Sequence, residues 1–289
     1  LLADSISPLP LHKILVLSSC MHELADARFF PYEQLALARA AVASASNLRF
    51  GPEVGVGPPR ADAAVIGPWL AHVRQMARDV AALSAVSGVP VAVHEADARA
   101  ANEVLAPRSI DAVITSPPYP NEKDYTRTTR LELVLLGLIN DRTGLRALKQ
   151  RLVRSNTRGV YRADTDDALV EGHPEIDRIA AEIEARRIAM GKTSGFERQY
   201  ARLTRLYFGG MKRHLASLAP CLRRGGRLAY VVGDQASYLR VMIRTGELLA
   251  DIAQSLGYRT IGIDLFRTRF STATGDHLRE EVVLLEWPG

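Results

Sequence analysis

The sequence has few of the features that mark secreted, metal-binding or membrane proteins. Its two cysteines, Cys20 and Cys221, give neither a disulfide framework nor a metal-binding spacing. No apolar run reaches the roughly 18 residues that a membrane-spanning helix needs. The opening "LLADSISPLPLHK" lacks the basic and apolar regions of a signal peptide. These absences favour a cytoplasmic protein with no bound metal and no membrane partner.

The composition is that of a globular protein with a basic excess. The 289 residues are 47% hydrophobic and 24% charged, with a formal net charge of +5. This length suits one large α/β domain or two small ones. The positive balance is a mild indication of a polyanionic partner.

Strand-like and helix-like segments alternate along the chain. Helices are predicted over residues 11–48, 63–86 and 240–256. The segment "LLADSI" is predicted to be the end of a strand, and further strands are predicted in "VPVAVHEAD", "IDAVITS", "GRLAYVVGDQ", "YRTIGIDLFRT" and "EEVVLLEW". This alternation predicts an α/β fold with a mainly parallel sheet. Because "RFSTATGDHLRE" offers no crossover helix, the last strand is predicted to be antiparallel.

Polar residues follow three of the predicted strands, where open α/β sheets bind their ligands. They are Asp97, Ser116 and Asp234. Ser116 begins "SPPY", and two successive prolines both end a strand and fix the backbone that follows. The sequence therefore predicts a rigid corner at a ligand-binding edge.

The stretch "DAVITSPPY" resembles the catalytic motif of S-adenosylmethionine-dependent amino-methyltransferases, which methylate an exocyclic amine of a DNA base. The serine form, preceded by threonine, is most typical of the N4-cytosine group. "HEADAR", "GGRLAYVVGDQ" and the closing strand pair also match that family. The resemblance implies a Rossmann-like class I methyltransferase fold. Residues 1–289 would form its catalytic domain, with a helical basic insertion over residues 122–200.

The resemblance also implies roles for the motif. The Ser116 hydroxyl and the Pro117 carbonyl would accept hydrogen bonds from the target amine, and the rigid Pro117–Pro118 pair would hold them in position. Tyr119 would stack on a base flipped out of the duplex. The alternative interpretation is a strand-ending turn with a packing tyrosine.

The implied cofactor is S-adenosylmethionine, with Asp4, Asp97, Ala98 and Thr115 as its candidate contacts. Asp97 would meet the adenine and Asp4 the ribose hydroxyls. Asp97 is also a good helix N-cap for "ARAANEVL", and Asp4 is equally a candidate cap. The family's Phe-x-Gly-x-Gly loop is not found, and we expect it upstream of residue 1.

The middle of the chain is rich in basic residues. "RTGLRALKQRLVRSNTRGVYR" carries seven and no acid, and "RQYARLTRLYFGGMKR" adds five. Clustered arginines neutralise phosphates, although most charge runs are solvated helix faces. The candidate nucleic-acid contacts are Tyr125, Arg127, Arg130, Arg151, Arg154 and Arg158.

These observations predict a site-specific DNA methyltransferase that modifies cytosine N4 and works with a restriction or defence partner. N6-adenine methylation by the same site is one alternative. An RNA or protein-glutamine amino-methyltransferase is another. A third is a non-catalytic nucleic-acid-binding subunit that keeps the fold without the glycine loop.

Overall fold

The computed structural model describes five stretches of the chain, residues 1–51, 54–83, 88–120, 124–271 and 274–289. They form two compact units, one of residues 1–93 with 125–148, the other of residues 94–124 with 149–289. The predicted insertion is divided between these units, and its first two residues lie outside the described residues, as does the end of the predicted helix 63–86. No helix in the described stretches is long and apolar enough to cross a membrane.

The first unit is mainly helical. Its elements are α1 (Pro8–Glu23), α2 (Phe30–Ala40), strands β1 (Leu48–Phe50) and β2 (Val54–Val56), α3 (Ile66–Ala82), α4 (Tyr125–Thr128), α5 (Arg130–Leu135) and most of α6 (Arg142–Gln150). Its core joins Ile14 of α1, Leu37 of α2 and Leu131 of α5. Apolar residues at helical spacing on separate segments thus bury one another, as amphipathic helices must.

The predicted strand in "LLADSI" is wrong. Residues 3–5 form a turn, and Ile6 makes only an isolated bridge with Ser46. The reason lies in the next residues, because Pro8 occupies the first turn of α1, where its fixed φ favours a helix start. The predicted helix over residues 11–48 is in fact α1 and α2, separated by a turn.

The second unit is built on a sheet that is four-stranded within the described residues. Its strands lie in the order β3 (Ile110–Thr115), β4 (Leu222–Gly233), β6 (His277–Trp287) and β5 (Arg259–Phe270). β3 and β4 are parallel, and β6 runs antiparallel to both β4 and β5. The predicted α/β class with an antiparallel last strand is confirmed, and the topology is consistent with a Rossmann-like class I methyltransferase fold.

Helices α7 (Pro174–Ala189), α8 (Tyr200–Leu218) and α9 (Thr245–Ser255) complete the core of this unit. Gly209 lets α8 approach the turn at residues 166–170, since a Cβ there would lie 1.8 Å from the Asp166 carbonyl oxygen. Cys221 is buried among these elements. Because β3, β4 and β5 point the same way, their carboxyl ends lie at one edge of the sheet.

The predicted strand "VPVAVHEAD" is absent from the described structure. Residues 89–97 are not paired with any described strand, and Val93 is 92% exposed. Alternating apolar residues favour a strand, but a strand exists only where a neighbour accepts its hydrogen bonds. Here the segment leads directly into a 3₁₀ helix at Ala98–Glu103.

Candidate active site

The Ser-Pro-Pro-Tyr motif lies where β3 ends at Thr115. Ser116 is exposed, Pro117, Pro118 and Tyr119 are half-buried, and Pro120 is buried. The chain therefore turns from the sheet edge back into the protein within five residues. This leaves the serine hydroxyl on the surface, at the end of a strand that is held in parallel register with β4.

Tyr119 packs over the last residue of β4. A Cβ on Gly233 would lie 2.8 Å from Cε2 of Tyr119 and 3.3 Å from Cγ of Glu280. Gly233 is therefore the residue that allows the tyrosine ring to approach the sheet. The ring also packs against the core of the unit. Tyr119 therefore has, at least in part, the packing role that the alternative interpretation gave it.

Asp97 begins the 3₁₀ helix that follows the unpaired segment. Its carboxylate accepts from the backbone N–H of Arg99 at 2.9 Å, which makes it the N-cap that the sequence indicated. The Arg99 side chain also donates to Asp97 through Nε at 3.0 Å and Nη2 at 2.7 Å. Burial alone would raise the pKa of Asp97, but these hydrogen bonds hold it below its ordinary value.

Arg99 is itself held inside the unit. Its Nη1 donates to Asp166 at 2.6 Å, and its Nη2 to the Gln150 carbonyl at 2.8 Å. The guanidinium is 7% exposed, so its position is fixed from two sides. The Asp97 carboxylate is consequently held in one orientation.

The fit of the predicted cofactor can be judged at Asp97. A carboxylate offers about four acceptor sites, of which Arg99 takes most. The Asp97 side chain remains 20% exposed, ionised and next to the small residue Ala98. An ionised acceptor beside a small residue suits the amino group of an adenine. The remaining acceptor capacity of Asp97 is thus compatible with one hydrogen bond from an adenine amino group.

His214 connects the Asp97 loop to the sheet, and the sequence analysis missed it. Its Nδ1 donates to the Ala98 carbonyl at 2.6 Å, so its Nε2 is the acceptor for the Tyr230 hydroxyl at 2.7 Å. Tyr230 pairs with Thr115, the residue before the motif. Burial lowers the pKa of His214 and favours this neutral form. A sequence signal exists, since His214 follows Tyr207 and Met211 at core spacing.

A cluster of buried acids and outward arginines surrounds the carboxyl end of β4. Asp234, Glu280 and Glu281 have side chains at most 6% exposed. Arg244 pairs with Asp234, and Arg279 pairs with Glu281. Glu280 pairs with both Arg267 and Arg269. The hydrogen bond with Glu280 raises the pKa of Arg267, and the nearby phenol of Tyr119 adds to the rise. Asp234 thus belongs to a structural ion-pair cluster beside the motif.

The predicted nucleic-acid contacts have different environments. In the second unit, Arg158 is exposed, and Arg151 is 44% exposed and pairs with Glu95. Arg154 is 4% exposed and donates to both carboxylate oxygens of Asp164, at 2.8 and 2.9 Å. It also donates to three backbone carbonyls. Arg154 is therefore a buried packing residue, and the prediction that it contacts a phosphate is wrong.

The remaining candidates belong to the first unit. Tyr125 is exposed, and Arg127 and Arg130 are half-buried on α4 and α5. Asp4 is exposed in the turn before α1, with a φ of 59°, a conformation that Asp tolerates better than most residues. The described residues hold no group of three His, Cys, Asp or Glu side chains that could bind a metal ion.

The curated proteins that the chain matches are named Type II methyltransferases. The chain is 27% identical over 157 residues to proteins named Type II methyltransferase M.AvaI from a Nostoc species and from Anabaena variabilis, over 51% of this chain and 30% of theirs. It is 57% identical over 42 residues to Type II methyltransferase M.BsoBI of Geobacillus stearothermophilus, over 14% of this chain and 8% of that one. The chain thus spans about a third or less of the length of these relatives.

Two further comparisons add little. No protein-family profile matches the chain. A solved structure from Thermus thermophilus, provisionally described as a DNA modification methylase, is 16% identical and has a TM-score of 0.34 over 68% of this chain and 54% of that chain. A likeness at that level carries no argument.

Proposed function

We propose that this chain carries the catalytic motif of an S-adenosylmethionine-dependent DNA methyltransferase that modifies an exocyclic amine, with cytosine N4 as the first choice. One observation carries the proposal. The Thr-Ser-Pro-Pro-Tyr segment stands at the carboxyl end of a sheet strand with its serine exposed and its tyrosine against the neighbouring strand. The relatives named Type II methyltransferases support the reaction class.

The motif's own groups account for activation of the amine. The lone pair of an aromatic amine is delocalised into its ring, so the amine is a poor nucleophile. Hydrogen bonds from its N–H groups to the Ser116 hydroxyl and the Pro117 carbonyl favour the pyramidal nitrogen that attacks. The prolines keep both acceptors fixed, which removes the reorganisation that a flexible loop would need. Tyr119 supplies a ring face for a base removed from its duplex.

The cofactor supplies the electrophilic methyl group. Asp97 and Ala98 would bind its adenine, and Thr115 lies next to the motif. Through His214, the Asp97–Ala98 segment is hydrogen-bonded to Tyr230, the strand partner of Thr115. That link would hold the cofactor-binding segment at a fixed distance from the motif.

The choice of base rests on the serine at position 116, and adenine N6 remains the alternative. A non-catalytic nucleic-acid-binding subunit is a second candidate function. One observation favours it: Arg99 already occupies most of the acceptor capacity of the Asp97 carboxylate. RNA as the substrate is a further alternative, which competition between RNA and DNA would test.

The test is transfer of a labelled methyl group from S-adenosylmethionine to DNA, followed by digestion to nucleosides and mass analysis. We expect N4-methylcytosine as the product. Tyr119→Ala should weaken base binding and lower turnover, whereas Tyr119→Phe keeps the ring and should retain most activity. Detection of N6-methyladenine instead would show that adenine, and not cytosine, is the target base. Binding of nucleic acid with neither cofactor binding nor methyl transfer would favour the non-catalytic alternative.

A further inference from the structure

The end of the β5–β6 hairpin carries exposed aromatic and basic side chains. We call this surface the hairpin rim and define it as Phe266, Arg267, Phe270, His277 and Arg279. Phe266 is 59% and Phe270 60% exposed, and Arg267 is 66% exposed. Burial in the protein core would stabilise both phenylalanines. Their joint exposure on one edge strand therefore marks a candidate interaction surface.

A bulge in β5 produces part of this exposure. Leu265 pairs with Glu281 and Arg267 with Glu280, so Phe266 is an extra residue without a partner on β6. A bulge redirects the side chain of its extra residue and is common beside active sites. Arg267 lies over the ring of Phe266 at 5.8 Å from its centroid, which keeps the ring and the cation together.

The charges of the hairpin are arranged in two layers. Glu280 and Glu281 are 5% and 6% exposed, whereas their partners Arg267 and Arg279 are 66% and 46% exposed. The carboxylates therefore lie beneath the surface and the guanidinium groups above it. A ligand that approaches this surface meets positive charge first, which complements a polyanion.

The hairpin rim adjoins the motif. Glu280 and Tyr119 both contact the position of Gly233, and Arg267 pairs with Glu280. Arg267 and Glu280 are directly opposite each other in the β5–β6 register. The basic and aromatic groups thus begin beside the side chain that is proposed to hold the target base.

We propose that the hairpin rim binds the DNA strand next to the target base, with Arg267 and Arg279 on phosphates and Phe266 and Phe270 against bases or sugars. This inference rests on the proposed function and specifies where on the protein its DNA substrate binds. Guanidinium groups bind phosphates, and aromatic rings stack on bases without regard to sequence. The hairpin rim therefore supplies affinity for the strand, while the motif performs the chemistry.

The same strand offers matched controls at its other end. Arg259 is 65% exposed and pairs with Glu286 of β6, as Arg267 pairs with Glu280. Ile261 occupies the other bulge of β5 and is 45% exposed. Arg259 differs from Arg267 mainly in lying towards the amino end of the strand, and Ile261 differs from Phe266 in position and in being aliphatic.

The experiment is equilibrium binding of fluorescent DNA at several salt concentrations. Arg267→Gln should weaken binding about fivefold and reduce the salt slope by about one. Phe266→Ala should weaken it about tenfold with an unchanged slope. Arg259→Gln and Ile261→Ala should leave affinity and slope unchanged. Circular dichroism confirms that each variant is folded.

The outcomes separate this inference from the proposed function. Equal effects at the two ends of β5, no effect at either end, or a parent chain that does not bind DNA would overturn the inference. Stronger competition by RNA of the same sequence would overturn the assignment to DNA. Selective loss of affinity in the Arg267 and Phe266 variants supports the hairpin rim even if no methyl group is transferred. In that case, the proposed function alone fails.

Discussion

Arg154 and Arg267 each pair with a largely buried carboxylate of the second unit, but only Arg154 is itself buried. Arg154 is 4% exposed, and its carboxylate partner Asp164 is 10% exposed. Arg267 is 66% exposed above a glutamate that is 5% exposed. The first pair lies within the unit, and the second presents its cation to solvent. Position in the fold, and not the density of arginines in the sequence, separates a packing role from a binding role.

The same contrast extends to two sets of residues. We call Arg99, Arg154, Asp166 and His214 the inner network, because their contacts join segments inside the second unit. Tyr119 and Arg267 belong to the surface at the carboxyl end of the sheet, with the buried Gly233 beneath the tyrosine ring. We expect substitutions in the inner network to change stability, and substitutions at that surface to change activity or affinity.

The largest effect on stability should come from Arg154→Ala. The substitution removes the cation partner of the largely buried Asp164 carboxylate and one hydrogen-bond donor from each of three carbonyl groups, so the free energy of unfolding should fall by about 3–5 kcal/mol. Urea unfolding measures this change. The control is Arg151→Ala, whose exposed pair with Glu95 should contribute less than about 1 kcal/mol. Similar losses in both variants would remove the distinction between buried and surface arginines.

Gly233→Ala tests the surface beside the motif. The added Cβ collides with the ring of Tyr119, so the ring must move from the sheet. We expect methyl transfer to fall at least about tenfold, and stability by about 1–3 kcal/mol from overpacking. A control is Gly55→Ala, which meets no atom within 4 Å. Full activity in the Gly233 variant would show that the position of Tyr119 is unimportant.

A smaller effect is expected from pH. Because the pKa of His214 is lower in the folded protein than its ordinary value of 6.5, the unfolded state binds more protons. Its contribution to stability is therefore present above pH 6.5 and is lost as the pH falls towards the folded pKa, by at most about 1.4 kcal/mol per pH unit. Unfolding curves of the parent and His214→Gln between pH 7.5 and 5 should converge as the pH falls. Parallel curves would contradict this assignment.

The sequence was informative where local signals and tertiary structure agree. The strands from β3 to β6, the antiparallel last strand and the Asp97 cap all follow from patterns within a few residues. The turn at "SPPY" follows from its prolines.

The errors arose where the folded arrangement of other residues decides the outcome. Residues 89–97 have strand-like alternation but no described strand to pair with. Arg154 has the appearance of a surface cation, and only the fold brings Asp164 and three carbonyls to it. His214 acquires its link from Ala98 and Tyr230, which are 116 and 16 residues away. The partners of Arg154 lie within 10 residues of it, but the sequence does not show that they turn towards it, and no short window spans both contacts of His214.

The most direct test of the central claim is the single-turnover rate of methyl transfer by Ser116→Ala at saturating DNA. The control is Ser109→Ala, which changes a serine at the opposite end of β3. Loss of one fixed acceptor should lower the rate about 100-fold, with little change in DNA affinity, while the control keeps the parent rate. A Ser116 variant that transfers methyl groups as fast as the parent would contradict the proposal that this motif activates the amine.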